Sequence, residues 1–208
     1  MTKQERAKIV LEELNKACPN PQIPLDRFDN FSFLIAVLLS AQCTDKRVNL
    51  TTPVLFKLAN TPQKMAKLPI EKIENAIKSC GLYKNKAKNI KELSRILTEK
   101  YNGIVPDNFA DLESLPGVGH KTASVLMSQA FGKPAFPVDT HIHRLAQRWK
   151  LSSGKSVEQT EADLKKLFPQ KYWNNLHLQF IYYGRNFCKA HTCKSPETLC
   201  PICARLRK

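Results

Sequence analysis

Leu115-Pro116-Gly117-Val118-Gly119-His120-Lys121-Thr122-Ala123, followed downstream by Val138-Asp139-Thr140-His141, is the stretch on which the reading of this chain turns. Gly117 and Gly119 have no Cβ, so a turn built on them reaches unusual backbone angles and lets a ligand come close. The next helix begins near His120 or Lys121. Its first backbone N–H groups have no partner within the helix, and the positive end of its dipole suits a phosphate oxygen. Such a contact reads a nucleic-acid backbone and carries no base information. By itself Gly-Val-Gly is more often a plain corner between two helices. Leu115-Pro116 before it, Lys121-Thr122-Ala123 after it and the charge of the chain favour a phosphate-binding helix-hairpin-helix element.

Lys121 is oddly placed. The start of a helix disfavours a positive charge, so the site favours a free amine over an ammonium. A free amine beside a bound phosphate can attack the anomeric carbon of the neighbouring sugar and form a Schiff base. The alternative is an ordinary solvated lysine. Asp139 is a natural N-cap for a helix carrying Ile142, Leu145 and Ala146. If it faces Lys121, its carboxylate can also stabilise positive charge developing on the sugar, or activate the amine or a water. The two roles are compatible.

The whole chain supports an anionic partner. Its 208 residues contain 33 Lys+Arg against 18 Asp+Glu, a formal net charge of +15. An excess of that size favours nucleic acid or an anionic membrane surface. The longest apolar run, Phe31 to Ala41, is too short to span a bilayer and reads as a buried helix. The charged N-terminus has no signal-peptide core, which points to the cytoplasm, where a nucleic-acid binder would associate with the nucleoid. In that reducing setting the seven cysteines do not suggest a disulfide framework.

The pattern predicts an all-α protein. Val10, Leu11, Leu14 and Ala17 share a face of a first helix. Pro19, Pro21 and Pro24 mark a linker. Asp29 or Asn30 is placed to cap Phe31–Ala41, and Thr44 or Asp45 the next helix, which Pro53 should kink or restart. Pro62 and Pro69 sit where short helices begin. Gly81 reads as a helix stop after Ile73, Ile77 and Cys80. Lys84–Lys100 is a basic amphipathic helix, and Asp107 is placed to cap a short helix ending near Leu115. Helices are expected over Thr122–Phe131, Asp139–Trp149, Val157–Phe168 and Tyr172–Phe187. No strand alternation is visible.

These residues carry a family resemblance. Leu38-Leu39-Ser40-Ala41-Gln42-Cys43-Thr44-Asp45, Gly81-Leu82-Tyr83-Lys84-Asn85-Lys86-Ala87, Leu115–Ala123 and Val138–His141 occur in the order seen in the endonuclease III family of base-excision DNA glycosylases. The chain resembles that family from about Phe31 to its C-terminus. The resemblance implies two helical domains flanking a DNA-binding cleft. One spans residues 23–134 and holds the hairpin; the other joins residues 1–22 to 135–208. It also implies a monomer acting on duplex DNA that contains damaged bases or abasic sites, with the damaged base flipped out of the stack. Lys121 matches the family's nucleophilic lysine and Asp139 its catalytic aspartate. Together they imply release of oxidised pyrimidines followed by β-elimination. Gln42 and Leu82 match residues that fill the gap left in the stack. Ser40, Asp45, Gly117, Val118, Gly119, His120 and His141 complete the implied DNA-binding set. The adenine glycosylases of a related branch typically lack the hairpin lysine, so Lys121 argues for a bifunctional enzyme. His120 stands where the family most often has arginine, which implies a weaker or pH-dependent phosphate contact. The alternatives are a monofunctional adenine or mismatch glycosylase, and a non-enzymatic protein that docks on the DNA backbone.

Cys188, Cys193, Cys200 and Cys203 lie within sixteen residues, with Pro196 and Pro201 suggesting a loop. Four thiolates so close imply a structural metal site, and His191 is a spare ligand. The family usually carries a [4Fe–4S] cluster on a C-x6-C-x2-C-x5-C pattern, which would make that cluster the expected cofactor. Here the spacing is C-x4-C-x6-C-x2-C. Zinc and a metal-free loop are the alternatives. Cys18, Cys43 and Cys80 read as core residues.

Overall fold

The computed structural model describes residues 1–191, 193 and 198–207. Among these residues every regular element is helical, so the all-α class holds. The chain divides into two compact units, one formed by Ile23–Phe131 and the other by Met1–Gln22 with Gly132–Lys208.

The unit Ile23–Phe131 is built around α2 (Asn30–Ser40). Asp29 caps it in a reciprocal box: Asp29 Oδ1 accepts from the Ser32 amide at 2.6 Å, and Ser32 Oγ accepts from the Asp29 amide at 3.0 Å. Every residue from Phe31 to Leu39 is buried, which is why this helix lacks a polar stripe. Thr44 caps α3 (Asp45–Leu58), which runs through Pro53 as one helix and does not restart. Pro53 lies on the exposed side, where the backbone carbonyl it deprives of a donor can turn toward water. Next come α4 (Pro62–Lys67), with Pro62 in its first turn, and α5 (Ile70–Ile77). The helix α6 (Tyr83–Lys100) buries Ala87, Ile90, Leu93 and Leu97 on one face. The short α7 (Phe109–Glu113) and α8 (His120–Gln129) close the unit.

Two expected boundaries shift here. The helix before Gly81 already ends at Ile77, and the left-handed residue is Leu82 at φ 57°, not Gly81. Gly81 serves close approach instead, because a Cβ there would lie 3.3 Å from the Gln42 carbonyl oxygen. The cap of α7 is Asn108, not Asp107; its Oδ1 accepts from the Asp111 amide at 2.9 Å. Both residues are good caps, and the position of the first helical turn chose between them.

The second unit contains α1 (Lys3–Ala17), α9 (Thr140–Arg148), α10 (Val157–Leu167), a 3-10 turn at Gln170–Tyr172, α11 (Trp173–Asn186) and α12 (Pro201–Arg207). Thr2 and Glu5 form a capping box on α1. That helix buries Ala7, Val10 and Leu14, while Leu11 is half-buried and Ala17 is exposed. The true stripe therefore starts one turn earlier than the apolar residues alone suggest. Phe136, Trp149, Phe168, Phe180 and Tyr183 form an aromatic core, with Trp149 5.2 Å from Phe180 and edge-on to Tyr183 at 5.7 Å. Aromatic pairs at such angles add to their burial. Arg205 reaches Glu13 at 2.7 Å and Glu12 at 3.1 Å, tying α12 to α1. Pro201 opens α12 and does not mark a loop, in keeping with proline's fitness for a first helical turn. Pro196 lies outside the described residues. No helix among the described residues is long and apolar enough to cross a membrane.

Candidate nucleic-acid interface and metal centre

The hairpin is the turn between α7 and α8. Val118 is buried and anchors it, while Gly117 and Gly119 on either side are exposed. The Val118 amide donates to the Leu115 carbonyl at 3.0 Å and closes the turn. Gly119 is the N-cap of α8 and has no side chain to satisfy the first amides. That end is therefore shaped for an external acceptor. His120 and Lys121 are the first two helical residues, both exposed.

Gly117 has φ +78°, and a Cβ there would come within 2.7 Å of Asn89 Nδ2 and 3.1 Å of Asn89 Cβ. Both the backbone and the neighbour demand glycine. Gly117→Ala is expected to cost about 1–3 kcal/mol, read as a lower denaturation midpoint. Stability equal to the parent would show that the turn tolerates another conformation.

His120 is engaged within the hairpin. Its Nδ1 lies 2.7 Å from Glu113 Oε1, and its ring stacks on Phe109 with centroids 5.5 Å apart. Both partners lie on α7, so His120 couples the two helices of the motif. Glu113 also places a carboxylate beside the proposed phosphate contact.

Asp139 is the N-cap of α9, its Oδ1 accepting from the Ile142 amide at 2.8 Å. The bland reading of this residue is thus realised, and capping uses one carboxylate oxygen. Asp139→Ala is expected to cost about 1 kcal/mol in thermal stability, and Asp139→Asn less, because the amide oxygen can still cap. Equal melting losses for both would point to a role for the charge in stability.

Ser40 ends α2 and its Oγ donates to the Val37 carbonyl at 2.7 Å. Gln42 is exposed at φ 54°, and Leu82 is 59% exposed at φ 57°. An apolar side chain held out to solvent on a left-handed residue is uncommon. Asp45 opens α3 and is half-buried. His141 lies in the first turn of α9 and lines a basic recess with Arg144, Arg185, Lys189 and His191.

Cys188, Cys193, Cys200 and Cys203 are all buried, and their sulfur atoms lie within 4.8 Å of one another. Chain folding thus brings the off-pattern spacing to one point, and Cys188 belongs to the group. His191 is exposed and is not part of it. The donors around the sulfurs suit thiolates. The Cys200 amide donates to Cys193 Sγ at 3.2 Å, the Cys203 amide to Cys200 Sγ at 3.5 Å, and Arg148 Nη1 to Cys188 Sγ at 3.2 Å. Hydrogen bonds from Cys188 and Cys203 hold the Cys200 thiol well below the usual range. A set of four thiol ligands with amide and guanidinium donors fits a structural metal centre with no open coordination position. Of the other cysteines only Cys80 is a core residue; Cys18 and Cys43 are half-buried.

Three supporting groups were not singled out from the sequence. Asn89 packs against Gly117. Arg144 and Arg148, one turn apart on α9, bind the Cys188 carbonyl at 2.6 Å and the Lys189 carbonyl at 2.8 Å. Lys86 is buried on the apolar face of α6. The signal for Lys86 was present: it falls in register with Ile90, Leu93 and Leu97, where a lysine is out of place.

A family model described as HhH-GPD superfamily base excision DNA repair protein matches residues 35–170. Endonuclease III of Buchnera aphidicola subsp. Acyrthosiphon pisum (strain APS) is 44% identical over 203 residues, covering 98% of this chain and 94% of the relative. Endonuclease III of Escherichia coli (strain K12) is 44% identical over 203 residues, covering 98% and 93%. A solved structure of a trapped endonuclease III–DNA covalent intermediate, an estranged-adenine complex, is 41% identical and superposes with a TM-score of 0.90 over 100% of both chains. The family model takes in the hairpin and the Asp139 helix, and the relatives span almost the entire chain, so this protein belongs to the HhH-GPD superfamily of base excision DNA repair proteins.

Proposed function

We propose that this chain is an endonuclease III-type enzyme: a bifunctional DNA glycosylase that removes oxidised pyrimidines from duplex DNA and cleaves the resulting abasic site. The observation that carries the reading is Lys121, an exposed amine at the second residue of α8, directly after the two-glycine turn. The turn and the helix start bind phosphate, which sets the neighbouring sugar beside the amine. Lys121 Nζ attacks the anomeric carbon, and the bond to the base breaks with its electron pair leaving on the base. Asp139 stabilises the positive charge that develops on the sugar. The amine–sugar adduct opens to a Schiff base, which makes the adjacent 2′ hydrogen acidic. Loss of that proton expels the 3′ phosphate and nicks the strand. Gln42 and Leu82 fill the space left by the extruded base. Ser40, Asp45, His120 and His141 complete the DNA contacts. The enzyme works as a monomer in the cytoplasm.

The thiols Cys188, Cys193, Cys200 and Cys203 hold a [4Fe–4S] cluster in this reading. It rests on the family resemblance and on the convergence of four buried sulfurs. Such a group cross-links α11, the following segment and α12, and supplies stability. A second reading, zinc, is favoured by one observation. The separations Cys188–Cys193 at 3.6 Å and Cys188–Cys203 at 3.8 Å match the edge of a tetrahedron of thiolates around one ion, about 3.8 Å for a metal–sulfur bond of about 2.3 Å. The absorption spectrum and metal content of protein purified without oxygen separate the two. A broad visible band with about four irons per chain supports the cluster, and colourless protein with one zinc overturns it.

The activity is tested by incubating the protein with duplex DNA bearing an oxidised pyrimidine and then adding borohydride. A covalent protein–DNA complex with a strand nick is expected. Base release with no trapped complex would replace this reading with a monofunctional glycosylase. Binding with neither would leave a docking protein.

A further inference from the structure

The carboxyl end of α2 and the start of α6 hold a group that the proposed chemistry does not use. Lys86 is only 5% exposed. Its Nζ donates to the Leu39 carbonyl at 2.9 Å and the Ala41 carbonyl at 2.6 Å. Leu39 is in the last turn of α2 and Ala41 is its C-cap, where carbonyls lack partners and the helix dipole is negative. Burial pushes the Lys86 ammonium below the usual lysine range, and no carboxylate is among the groups acting on it. An apolar side chain at this point of the α6 stripe would avoid that desolvation. The lysine therefore answers a local need other than core packing.

The need is visible in the chain on either side. Ala41 precedes Gln42, and Leu82 lies four residues before Lys86; both Gln42 and Leu82 are left-handed at φ 54° and 57°. Non-glycine residues in that region are strained and persist where their surroundings over-determine them. The Lys86 amide donates to the Leu82 carbonyl at 3.0 Å as the opening backbone bond of α6, so the side chain that holds the end of α2 is rooted one turn after Leu82. The segments also touch directly. Gly81 leaves just enough room for the Gln42 carbonyl. Cys80 contacts Thr51 Oγ1 at 3.8 Å, and Thr51 Oγ1 is 3.0 Å from Ser79 Oγ.

We propose that Lys86 is a positioning residue: holding the Leu39 and Ala41 carbonyls with its side chain from the first turn of α6, it ties the segment of Gln42 to that of Leu82 and sets the two as one rigid wedge. The proposal rests on the reading of Gln42 and Leu82 as the residues that enter the base stack. Lys86 itself touches no substrate. A wedge ordered in advance loses less conformational entropy on binding. Its loss therefore appears in engagement of the unstacked site and not in the chemical step.

The test uses the full chain with Lys86→Met, which keeps length and removes the donors. Its Kd for duplex carrying a tetrahydrofuran abasic analogue is expected to rise roughly tenfold. KM for lesion duplex rises with it, while the single-turnover cleavage rate at saturating protein changes less than about threefold. The fluorescence change of 2-aminopurine placed opposite the analogue is lost, and Lys86→Arg, which keeps paired donors, recovers part of it. Parental affinity and signal in Lys86→Met overturn the proposal, as does a fall in kcat with KM unchanged. If Lys86→Met does not fold, Gly81→Ala decides. Its methyl presses the Gln42 carbonyl with Lys86 intact, so a weakened signal supports the coupling and a parental one overturns it. Gln42→Ala and Leu82→Ala test the underlying reading. If both keep parental binding and signal, the wedge itself is wrong. If both lose them while Lys86→Met does not, only the role of Lys86 falls.

Discussion

Lys121→Ala is expected to abolish the borohydride-stable complex with abasic DNA and to slow strand cleavage at least about a thousandfold. No other residue can replace a covalent nucleophile at that point, since the bond that makes the intermediate goes with the amine. Stability should hardly move. Lys121 is exposed on the second residue of α8, and the turn before it is set by Gly117, Val118 and Asn89. The melting temperature is expected to stay within about 2 °C. Duplex affinity should fall only modestly, because the proposed phosphate contact rests on backbone amides. Base release and cleavage are best followed separately on the same oligonucleotide. Trapping undiminished in Lys121→Ala would transfer the nucleophile to another amine.

Cys200→Ser is expected to cost about 5 kcal/mol or more and to lower the melting temperature by about 10–20 °C, together with loss of bound metal. The size follows from what the four sulfurs join. Cys188 follows the end of α11, and Cys200 and Cys203 flank the start of α12. All four are part of the same buried cluster as Trp149, Phe180 and Tyr183. Without a metal cross-link, three polarisable thiols and a serine hydroxyl remain buried with only a few donors to satisfy them. Cys18→Ser is the matched comparison. Cys18 is half-buried in the same unit and outside the metal group, so a shift within about 3 °C is expected. Melts of the two variants, with metal content measured on each, check this. Equal, small shifts would mean that the four thiols carry no structural metal.

The helices were legible because their signals are local. Asp29, Thr44 and Asp139 each stand one residue before a helix, and each side chain accepts the expected capping hydrogen bond from a backbone amide. Glycine roles were less legible. Gly81 reads as a helix stop when only its neighbours along the chain are considered. Its actual partner is the Gln42 carbonyl, which sequence proximity does not reveal. The family resemblance implies a phosphate contact for His120; its pairing with Glu113 and stacking on Phe109 depend on how α7 folds back beside α8. Pro201 was read as a loop marker, and the structure uses it to start α12.

The helical class, the glycine turn before Lys121 and the cap at Asp139 are written in the sequence, since each depends on residues a few positions apart. The sequence also places four cysteines within sixteen residues, which implies a metal site, but on a spacing that departs from the family pattern. Their convergence comes from packing, because bringing Cys188 beside Cys203 requires α11, the segment after it and α12 to close on one another. The same is true of Lys86. Its charge on an apolar stripe was written in the chain, but its use depends on where the end of α2 is placed in space, and only packing sets that.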